Sequence, residues 1–216
     1  MPWPLATYET YIQNLLADAS AAIWSVAWID DALRQALKEY STVLPIEQAG
    51  TVTLASSGRE ISLATLTNLA NVQAVWLPYT AADPEDPPNS RHFRFWPDLN
   101  KAYILGGPEP DSGDVARVFY TKPHTINALD SATTTTVPAN DEHLLVRGAA
   151  GLCAMTRALD LTEQVTLDRT TPTMVLTWGK DMYRNFQDTL RHIAISRQGQ
   201  SLVQLPLLDR HDGDWQ

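Results

Sequence analysis

Acidic side chains gather at two places where they could do chemistry. One group lies in turns of the middle of the chain and consists of Asp98, Glu109, Asp111 and Asp114. The other lies in a proline-rich stretch and consists of Asp83, Glu85 and Asp86. A glycan hydrolase needs two carboxylates held across a cleft, and clustered carboxylate oxygens suit Ca²⁺. Both groups fall in predicted turns, where solvation is the ordinary role of an acid, and the second lacks the spacing of an EF-hand. We therefore predict neither a catalytic nor a metal site.

The other reactive residue types are scattered along the chain. Its five histidines share no ligand spacing of the HExxH kind and are His92, His124, His143, His192 and His211. The single cysteine, Cys153, has no second thiol for a disulfide or a thiolate metal site, and it lies on the small-residue face of a predicted helix, where cysteine acts as a small hydrophobe. No GxSxG, GxxxxGK[ST] or GxGxxG motif occurs. The sequence predicts no cofactor and no enzyme.

The charge balance limits the class of partner. Sixteen Lys and Arg stand against 25 Asp and Glu, and the net charge of -9 argues against a protein that binds nucleic acid by neutralising phosphates. The segment HFRFW, with Arg91 and Arg94 beside two phenylalanines, mixes basic and aromatic residues as single-strand binders do, but ordinary strand alternation explains it better. No Lys or Arg precedes Arg34, and the longest apolar stretch is broken by Ser25. We expect a soluble protein made in the cytosol, without a membrane partner.

The strongest helical pattern runs from Trp24 to Pro45. Its apolar stripe follows the 3.6-residue period and consists of Ile29, Leu33, Ala36, Leu37, Tyr40 and Leu44. Ser25 is placed to cap this helix, while Asp30 and Asp31 are expected to put negative charge in its first turn. The stripe has to be buried against other helices.

Three further helices are predicted. The first follows Pro4 and ends near Ala17, and the third begins after Asn140, which is its expected cap. Small residues from Arg147 to Gly151 allow another helix to approach the third one closely. The last helix opens at Pro172 or Thr173. Its predicted apolar face consists of Met174, Trp178, Met182, Phe186, Leu190 and Ile193.

The segment between the two helix pairs changes to an alternating pattern. Residues 51–55 and 59–63 predict a hairpin, a helical turn is expected near Leu66 and Leu69, and further strands are predicted at 72–79, 92–96, 101–105 and 114–121. Short strands at this spacing favour an antiparallel sandwich or barrel-like module. The predicted class is α+β: a helical bundle of residues 1–46 and 138–198, an inserted β module of residues 47–137, and an extended tail of residues 199–216.

Within this layout, four short motifs resemble the head-to-tail connector (adaptor) proteins of tailed phages. They are LLAD at 15–18, WS at 24–25, IDDALRQALKEY at 29–40, and PANDEH at 138–143. The resemblance is strongest over about the first 45 residues and looser over residues 138–194. The β segment matches only in being an insertion, as in the adaptors of short-tailed (podovirus-type) phages, whereas the smallest adaptors are nearly all helical.

The resemblance implies a virion structural protein at the head–tail junction. Such a protein forms a ring, twelvefold in the family, beneath the portal protein, extends the channel through which DNA passes without specific binding during genome ejection, and gives tail proteins (nozzle or tail tube) a platform. It implies no catalysis and no cofactor. The alternatives are a tail-completion or baseplate protein and a virion-associated hydrolase in the β module.

The last residues carry apolar side chains that a free tail would leave exposed. They are Leu202, Val203, Leu205, Leu207, Leu208 and Trp215. Our hypothesis is that this segment docks onto the portal and becomes ordered there. The sequence does not determine the ring copy number or the surface that faces the channel.

Overall fold

The computed structural model of the chain divides into two compact units. It describes residues 2–20, 22–81, 90–163 and 170–202. The helical unit comprises Met1–Leu44 and Thr125–Gln216, and the β unit comprises Pro45–His124. The return to the helical unit at Thr125 comes earlier than the expected boundary at residue 138, because Ile126, Leu129 and Val137 belong to the helical core.

Among the described residues, four α-helices build the helical unit: α1 (Leu5–Leu15), α2 (Val26–Val43), α3 (Glu142–Glu163) and α4 (Thr170–Leu202). Together with an antiparallel sheet they confirm the α+β class. The predicted stripe of α2 is buried as expected, with Ile29, Leu33 and Tyr40 fully covered. Ser25 caps this helix by accepting a hydrogen bond from the Trp28 backbone N–H at 3.4 Å. Asp30 and Asp31 lie beyond the first turn, so the dipole role predicted for them is wrong.

Glycines bring α3 and α4 close together, as the small-residue run predicted. A Cβ at Gly148 would lie 2.9 Å from the Phe186 ring, and one at Gly151 would lie 2.8 Å from the Gly179 carbonyl oxygen. Phe186 and Leu190 are buried here, but Met174 is 71% exposed, so its predicted place on the apolar face is wrong. The reason is that positions repeated every four residues rotate by about 40° each turn on a helix of 3.6 residues per turn.

The start of α3 and the end of α4 differ from the sequence prediction. α3 begins at Glu142, so Asp141 and not Asn140 precedes it, and the Leu145 N–H donates to the Asp141 carbonyl oxygen at 3.4 Å. α4 continues past Arg197 to Leu202, although the apolar pattern stops earlier.

In the part of the β unit that the structure describes there are six strands: β1 (Ile46–Thr53), β2 (Glu60–Ser62), β3 (Asn71–Trp76), β4 (Ser90–Trp96), β5 (Lys101–Leu105) and β6 (Val115–Lys122). They form one curled antiparallel sheet in the order β1-β6-β3-β4-β5-β2, so the predicted sandwich is not confirmed. Its core holds Val52, Ile61, Leu63, Val75, Ile104 and Val118.

The predicted hairpin of residues 51–55 with 59–63 is wrong. β1 pairs with β6 along its whole length, and β2 pairs with β5, so the two strands lie at opposite edges of the sheet. The expected helical turn near Leu66 is an irregular loop in which Asn68 has φ of 56°. Long-range pairing with β6 buries Val52 on the core side, which a local hairpin alone does not require.

Candidate interaction surfaces

The turn between α1 and α2 is held by the carboxylate of Asp18. Its two oxygens accept hydrogen bonds from the backbone N–H groups of Ala22, Ile23 and Trp24 at 2.8 to 2.9 Å. These bonds hold the pKa of Asp18 below its usual value, because they stabilise the charged form of the carboxylate. The bond from the Trp24 N–H has the largest effect. The turn is therefore a defined structure that presents the residues around it in fixed positions.

Four large apolar side chains are exposed around this turn. They are Leu15, Ile23, Val26 and Trp28, with exposed fractions of 40 to 47%. We call them the α1–α2 patch. Trp24, between them in sequence, is buried and donates its indole N–H to the Cys153 carbonyl oxygen at 3.2 Å. This bond joins the start of α2 to α3, so the patch residues of α2 lie beside a point where the two helices are in contact.

A second group of contacts joins α2 to the start of α3 and to α4. The Tyr40 hydroxyl donates to the Asp141 carboxylate at 2.5 Å, and Arg197 of α4 lies 3.6 Å from the same carboxylate. Burial is the main effect that raises the pKa of Tyr40, and the hydrogen bond to Asp141 and the negative charge of Asp141 raise this pKa further. The Tyr183 hydroxyl donates to the Glu39 carboxylate. Tyr40 therefore stays neutral at physiological pH and acts as a hydrogen-bond donor.

The outer side of α4 carries a row of exposed residues at alternating spacings of three and four. They are Met174, Thr177, Asp181, Arg184, Asp188, Arg191 and Ile195, and we call them the α4 stripe. All seven are exposed, and Met174 and Ile195 reach 71% and 67%. Several of them line a shallow open groove together with Met155 and Tyr183. Our sequence prediction missed this stripe, although the 3–4 spacing of opposite charges is visible in the sequence.

On the β unit, the arginine at position 117 packs against aromatic rings. The Arg117 guanidinium lies 4.9 Å from the centre of the Tyr79 ring and 5.5 Å from that of Phe119, and it donates to the Tyr79 hydroxyl. In the HFRFW segment, Phe93 and Phe95 pack on the core while Arg94 is exposed. Strand alternation therefore accounts for that segment, as predicted.

The acidic groups that the sequence offered for chemistry do not converge. Asp98, Glu109 and Asp111 are exposed, and the Asp114 carboxylate accepts a hydrogen bond from the Asp111 backbone N–H at 3.0 Å, which closes a turn. Among the described residues, no group of three or more His, Cys, Asp or Glu could hold a metal ion. The described part of the chain also contains no helix with the length and apolar character needed to span a membrane.

Two of the residue groups singled out in the sequence lie wholly or mostly outside the residues that the structure describes. Asp83, Glu85 and Asp86 lie outside the described residues. So do Val203, Leu205, Leu207, Leu208 and Trp215 of the predicted portal contact. Leu202 is the last residue of α4. The hypothesis of a C-terminal docking segment therefore stays a prediction.

Comparison with known proteins gives a weak structural similarity. No protein-family model matches the chain, and no curated protein matches it. Among solved structures, the chain is similar to one from the neck of a native GTA particle, computed with C12 symmetry, with 15% sequence identity and a TM-score of 0.30. The match covers 82% of this chain and 91% of that chain. At this TM-score the similarity carries no argument about partners or assembly.

Proposed function

We propose that this chain is a virion structural protein, a head-to-tail adaptor that forms a ring beneath the portal, extends the DNA channel and gives the tail its attachment platform. The observation that carries the proposal is the α1–α2 patch, which exposes Trp28 and three aliphatic side chains at the end of α1, in the turn and at the start of α2. Exposed apolar groups concentrated in this way mark protein contacts. The patch falls within the first 45 residues, where the sequence resembles the adaptor family.

In this proposal, neighbouring subunits make a heterologous contact, in which the α1–α2 patch of one subunit packs on a different surface of the next. Such contacts build a ring when the rotation from one subunit to the next closes on itself. The twelvefold copy number is the one that the resemblance implies. A net charge of -9 suits a ring whose channel DNA passes without binding. The proposal includes no catalytic step.

The test is the mass of the purified chain, alone and mixed with the purified portal protein, by light scattering after size exclusion. We expect the chain to enter a large complex with the portal. The double variant I23S/V26D should fail to build that complex, because it makes the patch polar, while an acid at position 26 suits the start of a helix. Gln35→Asp, an exposed change on α2, is the control. A wild-type chain that ignores the portal would contradict the proposal and favour a tail-completion or baseplate protein.

A truncation tests the docking segment. Because α4 runs to Leu202 and Arg197 pairs with Asp141, the cut belongs after Leu202 and removes residues 203–216. We expect the shortened chain to fold, as judged by circular dichroism, and to lose portal binding. Unchanged binding to the portal would show that the segment does not dock there. The β unit, in this proposal, meets the nozzle or tail-tube proteins.

A further inference from the structure

The charges along the α4 stripe are complementary to those of a second α4 stripe that runs in the opposite direction. Its four charged members, from the N-terminal side, are Asp181, Arg184, Asp188 and Arg191. Positions 181 and 191 are equally far from position 186, and so are positions 184 and 188. When a second copy of α4 runs antiparallel, each acid of one copy therefore stands at the level of an arginine of the other.

We propose that two copies of this chain form a two-fold symmetric dimer in which their α4 stripes pack antiparallel. Asp181 then faces Arg191 of the second copy, and Arg184 faces Asp188. The two-fold axis repeats both pairs, which makes four ion pairs. This inference is independent of the proposed adaptor function, because it uses neither the α1–α2 patch nor the portal.

The spacing of the stripe supports this kind of pairing. Alternating steps of three and four residues give an average repeat of 3.5, the repeat that keeps one seam of a helix facing a partner helix. In the antiparallel pair, position 177 stands level with position 195, so Thr177 meets Ile195 of the second copy. Met174 and Ile195 are 21 residues, or three heptads, apart. The seam is therefore long enough for a helix-to-helix contact.

The charged side chains are available for such a contact. Within the part of the chain that the structure describes, neither the Asp181 side chain nor the Arg184 side chain takes part in an ion pair or a hydrogen bond. Asp188 and Arg191 form one pair at 3.4 Å, with both side chains more than half exposed. An exposed pair of this kind contributes little to stability, so the two side chains can turn to a second copy at small cost.

Apolar surface lies beside these charges. The stripe ends in Met174 and Ile195, which are among the most exposed large apolar residues of the described chain. The groove along the stripe adds Met155 and Tyr183. Contact with a second copy buries the apolar surface of these groups, which stabilises the dimer more than exposed ion pairs alone do. The charges set the direction and the register of the second copy.

Two charge-reversal variants test the proposal. D181R/D188R makes all four charged positions arginine, and R184D/R191D makes all four aspartate. By light scattering at high micromolar concentration, we expect the wild type at twice the 24.0 kDa of one chain and each variant alone at the mass of one chain. An equimolar mixture of the two variants should regain the double mass, because an arginine stripe then meets an aspartate stripe.

The control is D98R/E109R, which changes the net charge as much as D181R/D188R does but at exposed sites of the β unit. This control should remain a dimer. Circular dichroism establishes that each variant is folded. A wild type at the mass of one chain, variants that associate when alone as the wild type does, or a mixture that stays at the mass of one chain would each overturn the proposal. Portal binding is measured separately, so failure here leaves the adaptor proposal standing.

Discussion

Replacing Gly151 by alanine tests how the helical unit holds α4. A Cβ at this position would lie 2.8 Å from the Gly179 carbonyl oxygen and 2.9 Å from the Tyr183 backbone nitrogen. These are backbone atoms, which cannot rotate out of the way as the end of a side chain can. The substitution therefore has to push α3 and α4 apart by several tenths of an ångström.

The expected cost follows from two opposing effects. Inserting a methyl group into a close-packed contact costs about 1–3 kcal/mol. Alanine is a better helix former than glycine by about 1 kcal/mol, which offsets part of this cost. Because the new methyl group meets backbone on two sides, we expect the upper half of the packing range. Gly151→Ala should lower the free energy of unfolding by about 1–2 kcal/mol.

The assay is urea unfolding followed by far-UV circular dichroism, since all four helices belong to the helical unit. The midpoint should fall while the slope of the transition stays unchanged. Thr156→Ala is the matched control, because Thr156 is exposed on the same helix and its hydroxyl donates only to its own helix, to the Leu152 carbonyl oxygen. This control should stay within about 0.5 kcal/mol of the wild type. A Gly151→Ala protein as stable as the wild type would refute the close helix contact.

Two further predictions concern buried polar groups. Asp18→Ala should lower the melting temperature at pH 7, because three backbone N–H groups lose their acceptor. The pKa of Asp18 is lowered in the folded chain, so the ionised carboxylate contributes its full stability above the unfolded pKa of about 3.9. This stability is lost as the pH falls through the folded pKa. A difference in melting temperature between Asp18→Ala and the wild type that persists below the folded pKa would contradict this. Burial raises the pKa of the Cys153 thiol to about 12, so Ellman's reagent at pH 8 should label it only after unfolding. Rapid labelling of the folded chain would show that the thiol is accessible.

Part of the interaction surface could be found in the sequence and part could not. The opposite charges of the α4 stripe recur in the sequence at steps of three and four, and a search for that spacing finds them. The exposure of the stripe could not be found in the sequence. Met174 was expected on the buried face, and only the packing of Phe186 against Gly148 shows which side of α4 meets α3. The role of Asp18 was also missed, because its three N–H partners come together only in the folded turn.

The sequence predicted the helices and the buried stripe of α2, because the 3.6-residue period of α2 is a local property that any burial partner preserves. It also predicted most strands, through their alternation. The pairing of the strands could not be predicted in this way: β1 joins β6 and β2 joins β5, although β1 and β2 are neighbours in sequence. The physical reason is that strand pairing depends on which distant residues share a core, and alternation alone is satisfied by many partners.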